Sequence, residues 1–291
     1  MNTKNIIQAG LIAVLILING NVIAQQTGWT EVEKVFGKKG NVQGDVFKIT
    51  FPRSDLKVKV GDFSVAPGLA LTSWIGFLKM DKSTMMMGDL VLLEKEVAPV
   101  VSKLVSENLN VTAIHNHLIN ETPAIKYIHF SGNGDAVKLA TEIKSVITTT
   151  ATPLTAPQTQ MPSANPDWKK VEAILGAGKQ NGNLLQYSFP RNEKLLESGM
   201  EMPASMGMAI GINFQMDGSR AAITGDFVLL AEEVNHVVKA LTENKITVTA
   251  IHNHMLFDNP RLFMMHFWAV DNPEKLAKGL KEAIDKTNSK K

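Results

Sequence analysis

Two runs, Val111-Thr-Ala-Ile-His-Asn-His117 and Val248-Thr-Ala-Ile-His-Asn-His254, are identical over seven residues. Working outward, Gly88-Asp-Leu-Val-Leu-Leu93 matches Gly225-Asp-Phe-Val-Leu-Leu230, and Trp29-Thr-Glu-Val-Glu-Lys-Val-Phe-Gly37 matches Trp168-Lys-Lys-Val-Glu-Ala-Ile-Leu-Gly176. The chain is therefore a tandem duplication, and its fold is decided within one copy. Thr148 to Pro166 is rich in Thr, Pro, Ala and Gln without apolar periodicity, a composition that suits a linker. The expected division is residues 25–147 for the first repeat domain, 148–166 for the linker and 167–291 for the second repeat domain.

Residues 1–24 read differently. Lys4 is followed by the apolar stretch Ile6 to Ile18, and Val22-Ile23-Ala24 offers a cleavage pattern. This predicts a signal peptide and an exported protein, periplasmic or extracellular, with no membrane span once the leader is removed. Cysteine is absent, which excludes disulfides, thiolate ligands and a cysteine nucleophile. A formal charge of only +2 and the lack of any basic run argue against a nucleic-acid partner. The expected ligand is a small molecule, of no class that the sequence specifies, and the oligomeric state is likewise open.

Within a copy, Trp29, Val32, Val35 and Phe36 share a helical face that ends at Gly37. Strands are predicted over Val46–Phe51, Leu56–Val60, Leu69–Leu78 and Met85–Leu93. A helix is expected from Glu94 to Glu107, with Pro99 in its first turn. Strands Val111–Leu118 and Ile125–Phe130 and a helix from Asp135 to Ile147 complete the unit. The fold class is α+β: two tandem homologous units, each an antiparallel sheet flanked by helices, with a histidine-bearing β-hairpin.

Six of the seven histidines recur as His115/His252, His117/His254 and His129/His266. Residues two apart on a strand project from one face, so His115 and His117 belong together, about 6.7 Å apart. A hairpin centred on Pro123 sets His117 opposite His129, and one centred on Pro260 sets His254 opposite His266. Three imidazoles on such a patch can hold one divalent ion, zinc above all, with a vacant fourth position suited to acidifying water to a pKa of about 7. Asp89 and Asp226 are candidates for orienting the metal-binding rings, and Glu96, Glu121, Glu233 and Asp258 are candidate catalytic acids or bases. The competing expectation is that the histidines are core residues satisfied by hydrogen bonds.

Arg53 and Arg191 recur in Phe-Pro-Arg and are candidates for binding an anion or for a salt bridge at a strand end. Met85-Met-Met87 and Met200, Met202, Met206 and Met208 read as core filling rather than as a copper site. Ser131-Gly-Asn-Gly-Asp135 reads as a turn into a helix, and His236, without a counterpart, as incidental.

Phe51-Pro-Arg-Ser-Asp-Leu56, Pro67-Gly-Leu-Ala-Leu-Thr-Ser-Trp74, Gly88-Asp-Leu-Val-Leu-Leu-Glu-Lys-Glu-Val97 and Thr112-Ala-Ile-His-Asn-His117 together resemble the LppY/LpqO-like family of bacterial proteins. That resemblance implies export but no activity; some members are lipoproteins, and this chain lacks the cysteine that would be acylated. By spacing alone, the histidines are also similar to those that hold zinc in acetolactate decarboxylase. The glycine of a cupin motif is missing. The expected function is a metal-dependent hydrolase or lyase with one three-histidine site per repeat. The alternatives are a non-enzymatic envelope binding module and a structural duplicated domain.

Overall fold

The computed structural model describes residues 28–155 and 165–290. The expected signal peptide, residues 1–24, lies outside them, as does much of the expected linker. In the first copy the order is α1 (Thr30–Phe36), β1 (Asn41–Gln43), β2 (Val46–Pro52), β3 (Lys59–Val60), β4 (Phe63–Ser64), α2 (Pro67–Ala70), β5 (Thr72–Lys79) and β6 (Thr84–Leu93). There follow α3 (Glu94–Ser106), β7 (Asn110–His115), β8 (Glu121–Thr122), β9 (Ile125–Gly134) and α4 (Ala136–Ile147).

The second copy repeats this order. It comprises α5 (Lys169–Leu175), β10 (Lys179–Asn181), β11 (Leu184–Pro190), β12 (Leu196–Glu197), β13 (Met200–Glu201) and a 3-10 turn over Ala204–Met206. Then come β14 (Ala209–Asp217), β15 (Arg220–Leu229), α6 (Ala231–Glu243), β16 (Thr247–His252), β17 (Asp258–Asn259), β18 (Phe263–Asp271) and α7 (Pro273–Ile284).

Each copy forms an antiparallel six-stranded sheet, ordered β1-β2-β5-β6-β9-β7 and β10-β11-β14-β15-β18-β16, with a three-stranded flap, β4-β3-β8 and β13-β12-β17. The α+β reading holds. Local chemistry sets the element ends: Gly37 closes α1 in the left-handed region at φ 69°, and Asp135 caps α4 by accepting from Val137 N and Lys138 N. Pro99 is the sixth residue of α3, beyond the expected first turn. It lies with Lys95 on the solvent side, where the carbonyl it leaves unpaired can meet water. The expected strand Leu69–Leu78 begins instead with the short helix α2, because Pro67 favours a helical first turn.

The alternation of the strands assigns the two faces of each sheet. Ile49, Phe51, Met86, Leu90, Ile128 and Phe130 turn outward to pack on α1, α3 and α4. The matching face of the second sheet packs on α5, α6 and α7. The inner faces meet each other. Val91, Leu118 and Tyr127 of the first copy pack with Leu184, Ala222 and Trp268 of the second, while Met85 and Met87 pack with Met202, Met206, Met208 and Met264. The molecule is thus layered helix, sheet, sheet, helix, and the methionines fill the seam.

Candidate metal centre

The inner-face positions also carry the polar residues. On β6, Asp89 alternates with outward Leu90, and on β9, His129 alternates with Ile128 and Phe130. The cross-strand partners are Ala113 opposite His129 and His115 opposite Tyr127, so the expected pairing of His117 with His129 is wrong. The strand ends at His115, since the chain then turns away and β8 pairs with β3 of the flap rather than extending a hairpin. The second copy does likewise, with Ala250 opposite His266 and His252 opposite Met264. The displacement is by an even number of positions, so the histidines keep the expected face.

One residue is bulged in each edge strand, Thr112 between Val111 and Ala113 and Thr249 between Val248 and Ala250. These bulges clamp the opposite copy. Thr112 Oγ1 donates to His254 O at 2.7 Å, and Asn253 Nδ2 donates to Thr112 O at 2.8 Å. Reciprocally, Thr249 Oγ1 donates to His117 O at 2.7 Å and Asn116 Nδ2 donates to Thr249 O at 3.0 Å. The contact is isologous, as in a two-fold dimer. It explains why Thr and Asn are identical in both copies alongside the histidines: they lock the two His-x-His segments together. Reading the histidines alone missed this role.

The clamp brings all six imidazoles into one cluster. Ring centres lie 3.7 Å apart for His115 and His252, 3.7 Å for His117 and His266, and 4.0 Å for His129 and His254. Each of these pairs joins one copy to the other, so the trios interleave: the second copy's three histidines gather with their own Asp226, whereas those of the first copy form sets only with rings of the second. Ligand atoms within 4.8 Å of one another define three overlapping sets: Asp226, His252, His254 and His266; His115, His129 and His252; and His115, His117 and His266.

Eight buried atoms of this cluster have no hydrogen-bond partner: Asp89 Oδ1, Asp226 Oδ1, His115 Nδ1, both ring nitrogens of His129, and Nε2 of His252, His254 and His266. Each unsatisfied buried polar atom costs about 1–3 kcal/mol, and native proteins rarely gather so many. His266 Nδ1 donates to Gly225 O at 2.7 Å and His252 Nδ1 to Asn253 O at 3.0 Å, which leaves both Nε2 lone pairs aimed into the cluster. His254 Nε2 lies 2.9 Å from Asp226 Oδ2 but is not aligned as a hydrogen bond, so two ligand atoms sit side by side around a common point. The donor set of neutral imidazoles and a carboxylate fits a divalent cation such as zinc.

Burial pushes His115, His117 and His129 well below the usual histidine range, helped by the neighbouring imidazoles, and takes His252 down to about 3. Neutral rings are the form that ligates metal. The two aspartates part company. Burial and the nearby Asp226 raise Asp89 well above the carboxylate range, with Lys48 opposing. Asp226 is held down to about 2 against its burial, by His266 and His254.

The remaining candidates lie elsewhere. Arg53 is fully buried and uses every donor internally, on Asp55, Glu96 and the Val91 carbonyl; Arg191 does the same with Glu193, Glu233 and Val228. No donor is left for an external anion, so the salt-bridge reading of these arginines is the correct one. Glu96 and Glu233 serve these pairs and also cap α3 and α6 by accepting from Leu93 N and Leu230 N. Glu121 and Asp258 accept from Ile125 N and Leu262 N, bracing turns outside the cluster. His236 is exposed on α6. Residues 148–155, placed in the linker by composition, lie against the first copy: Ala151 N donates to Glu96 and Leu154 packs on its core.

A cavity of about 400 Å³ opens beside the cluster between the two sheets, lined from both copies by His117, His129, His254, His266, Asp89 and Asp226. Lys48, Trp74, Gln186 and Asn213 also line it.

This chain belongs to a family of unknown function. The family, described as Domain of Unknown Function (DUF1259), matches it twice, over residues 30–149 and 169–286. The two matches coincide with the two layered units. No curated protein matches. Among solved structures, a trimeric bacterial microcompartment shell protein, PduB, is 10% identical with a TM-score of 0.18, covering 82% of this chain and 86% of that one. Crystal form I of TP0453 is 10% identical with a TM-score of 0.19, covering 86% and 96%. Scores this low carry no argument about this family. Among the described residues, no helix is long and apolar enough to cross a membrane.

Proposed function

We propose that the two copies of this family member jointly hold divalent metal, zinc in the first instance, and that the centre serves a hydrolase or lyase acting on a small molecule in the cavity. The observation that carries this reading is the gathering of eight buried, partnerless ligand atoms at the junction of the copies. Hydrogen bonds satisfy none of them, and a cation would give the ligand atoms of one such set a common partner. The set Asp226, His252, His254 and His266 is the most complete. A cation held there would supply Lewis acidity toward a carbonyl or phosphoryl oxygen. The chain itself positions the rings through Gly225 O and the Thr–Asn clamp, keeps them neutral by burial, and opens one side of the cluster to the cavity. Export to the periplasm or beyond belongs to the same proposal; the leader pattern of residues 1–24 and the resemblance to LppY/LpqO-like proteins support it.

Elemental analysis of the purified full chain tests the metal. Divalent metal is expected to survive dialysis in the wild type and to be lost from a quadruple variant with His115, His117, His252 and His254 all changed to Ala. Metal-free wild type, or equal metal in the two proteins, ends the reading. Chelator is expected to lower the melting temperature and added zinc to restore it, because a ligand of the native state stabilises it.

A further inference from the structure

The cavity is built by a two-fold repeat, yet its two halves are not alike. On the inner face of β2 stands Lys48, whose Nζ lies 3.8 Å from the centre of the Trp74 ring. The corresponding residues of the second copy are Gln186 and Gly211, a neutral amide and no side chain. In return, Asn213 stands where the first copy has Gly76, and Gln186 Nε2 donates to Asn213 Oδ1 at 2.9 Å. One wall therefore carries a cation on an aromatic platform and the other a pair of amides, and Trp74 is the cross-strand neighbour of Asp89 in the histidine–aspartate cluster.

Lys48 has no carboxylate partner within ion-pair distance among the described residues; its one hydrogen bond runs to the Ser205 carbonyl at 3.2 Å. An ammonium has three donors, so two are left for the cavity. Lys48 is half-buried, and withdrawing a cation from water without a counter-ion carries a cost that Trp74 offsets only in part. Two arginines elsewhere in the chain are fully paired with carboxylates, whereas this half-buried lysine stands beside a cavity without one. The cavity volume is within the range of small-molecule sites.

We infer that Lys48 and Trp74 form the anion-binding end of the cavity, and that the ligand is a small molecule with a single carboxylate, held there while its other end faces the metal centre. A single cation matches one negative charge. A phosphate dianion would bring a second charge that the Lys48 end of the cavity has no further cation to match. The same asymmetry gives the two-fold cavity a direction, since a carboxylate on the amide wall finds no cation. This inference rests on the cavity serving the proposed centre, but its test does not need the metal.

The probes are benzoate, its neutral analogue benzamide and inorganic phosphate, titrated calorimetrically into the full chain both as purified and after chelation. Benzoate is expected to bind in both states, at least tenfold more tightly than benzamide or phosphate. Lys48→Gln, which installs the residue of the second copy, is expected to weaken benzoate at least tenfold. Lys48→Arg should stay within about threefold of wild type, and the Gln186→Lys variant should gain a second benzoate. Metal content is measured alongside and is expected to be unchanged in Lys48→Gln. Benzoate binding that ignores Lys48→Gln, no benzoate binding to wild type, or tighter binding of phosphate each overturns the assignment. Metal retained without benzoate binding sinks this inference alone, whereas Lys48-dependent benzoate binding to a chain that never holds metal sinks only the metal centre.

Discussion

The two copies share a scaffold and differ where they meet. Arg53 with Glu96 and Arg191 with Glu233 repeat the same buried fork, and Gly88 and Gly225 each lie where an added Cβ would strike backbone, 2.3 Å from Trp74 O and 2.0 Å from Gly211 O. At the inner face the likeness fails. Asp226 joins three histidines of its own copy, whereas Asp89 has only His117, at 3.6 Å. Tyr127 stacks on His117 at 3.5 Å, and its counterpart is Met264. A duplicated chain keeps what holds each unit together, because each must bury its own core. It is free to diverge at the shared seam, where one set of contacts serves both.

The largest effect tests the shared scaffold. Arg53→Ala and Arg191→Ala each leave a buried carboxylate unpaired, so each should lower the free energy of unfolding by about 3–5 kcal/mol, measured in denaturant. The two losses should agree within about 1 kcal/mol. A marked inequality would break the claim that the frameworks are equivalent.

Next comes the divergence at the centre. Removing His252 and His254 together is expected to weaken metal binding on the order of a hundredfold, against roughly tenfold for His115 and His117. Competition with a chromogenic chelator reads both. The opposite order would place the stronger site on the first copy.

The smallest effect separates the aspartates in metal-free protein. Asp226 is depressed in the folded state, so its contribution is complete above its unfolded value near 3.9 and is lost as pH falls toward 2. Asp89 is raised, so it favours folding only while protonated and opposes folding as pH rises through its elevated value. At pH 7, Asp226→Asn should destabilise by about 1–2 kcal/mol and Asp89→Asn should stabilise. The histidines add their own slope: His252 falls to about 3 in the folded chain, so metal-free stability should decline as pH drops from about 6.5 toward 3. Flat stability across that window, or the same sign for both aspartate variants, would refute the electrostatic contrast.

Much of the site was legible in advance because strand alternation is local. Asp89, His115 and His129 share the inner face for the same reason that Leu90, Ile128 and Phe130 share the outer one. The hairpin register is not legible in the spacing of β7 and β9, because the turn between them contributes a strand, β8, to the flap, and that pairing lies outside the two strands. Arg53 and Arg191 were open to two readings, since a phrase such as Phe-Pro-Arg does not say whether a carboxylate waits in the folded core.

What the amino-acid order alone determined is the duplicated α+β unit, the inward face of each strand and the chemistry of the repeated side chains. These follow from backbone geometry within a few residues. That the six imidazoles form one interleaved cluster, clamped by Thr112, Thr249, Asn116 and Asn253, was decided only when the two sheets packed face to face. Contacts between residues well over a hundred positions apart arise from burying two complementary surfaces, and no local periodicity encodes which ring will meet which.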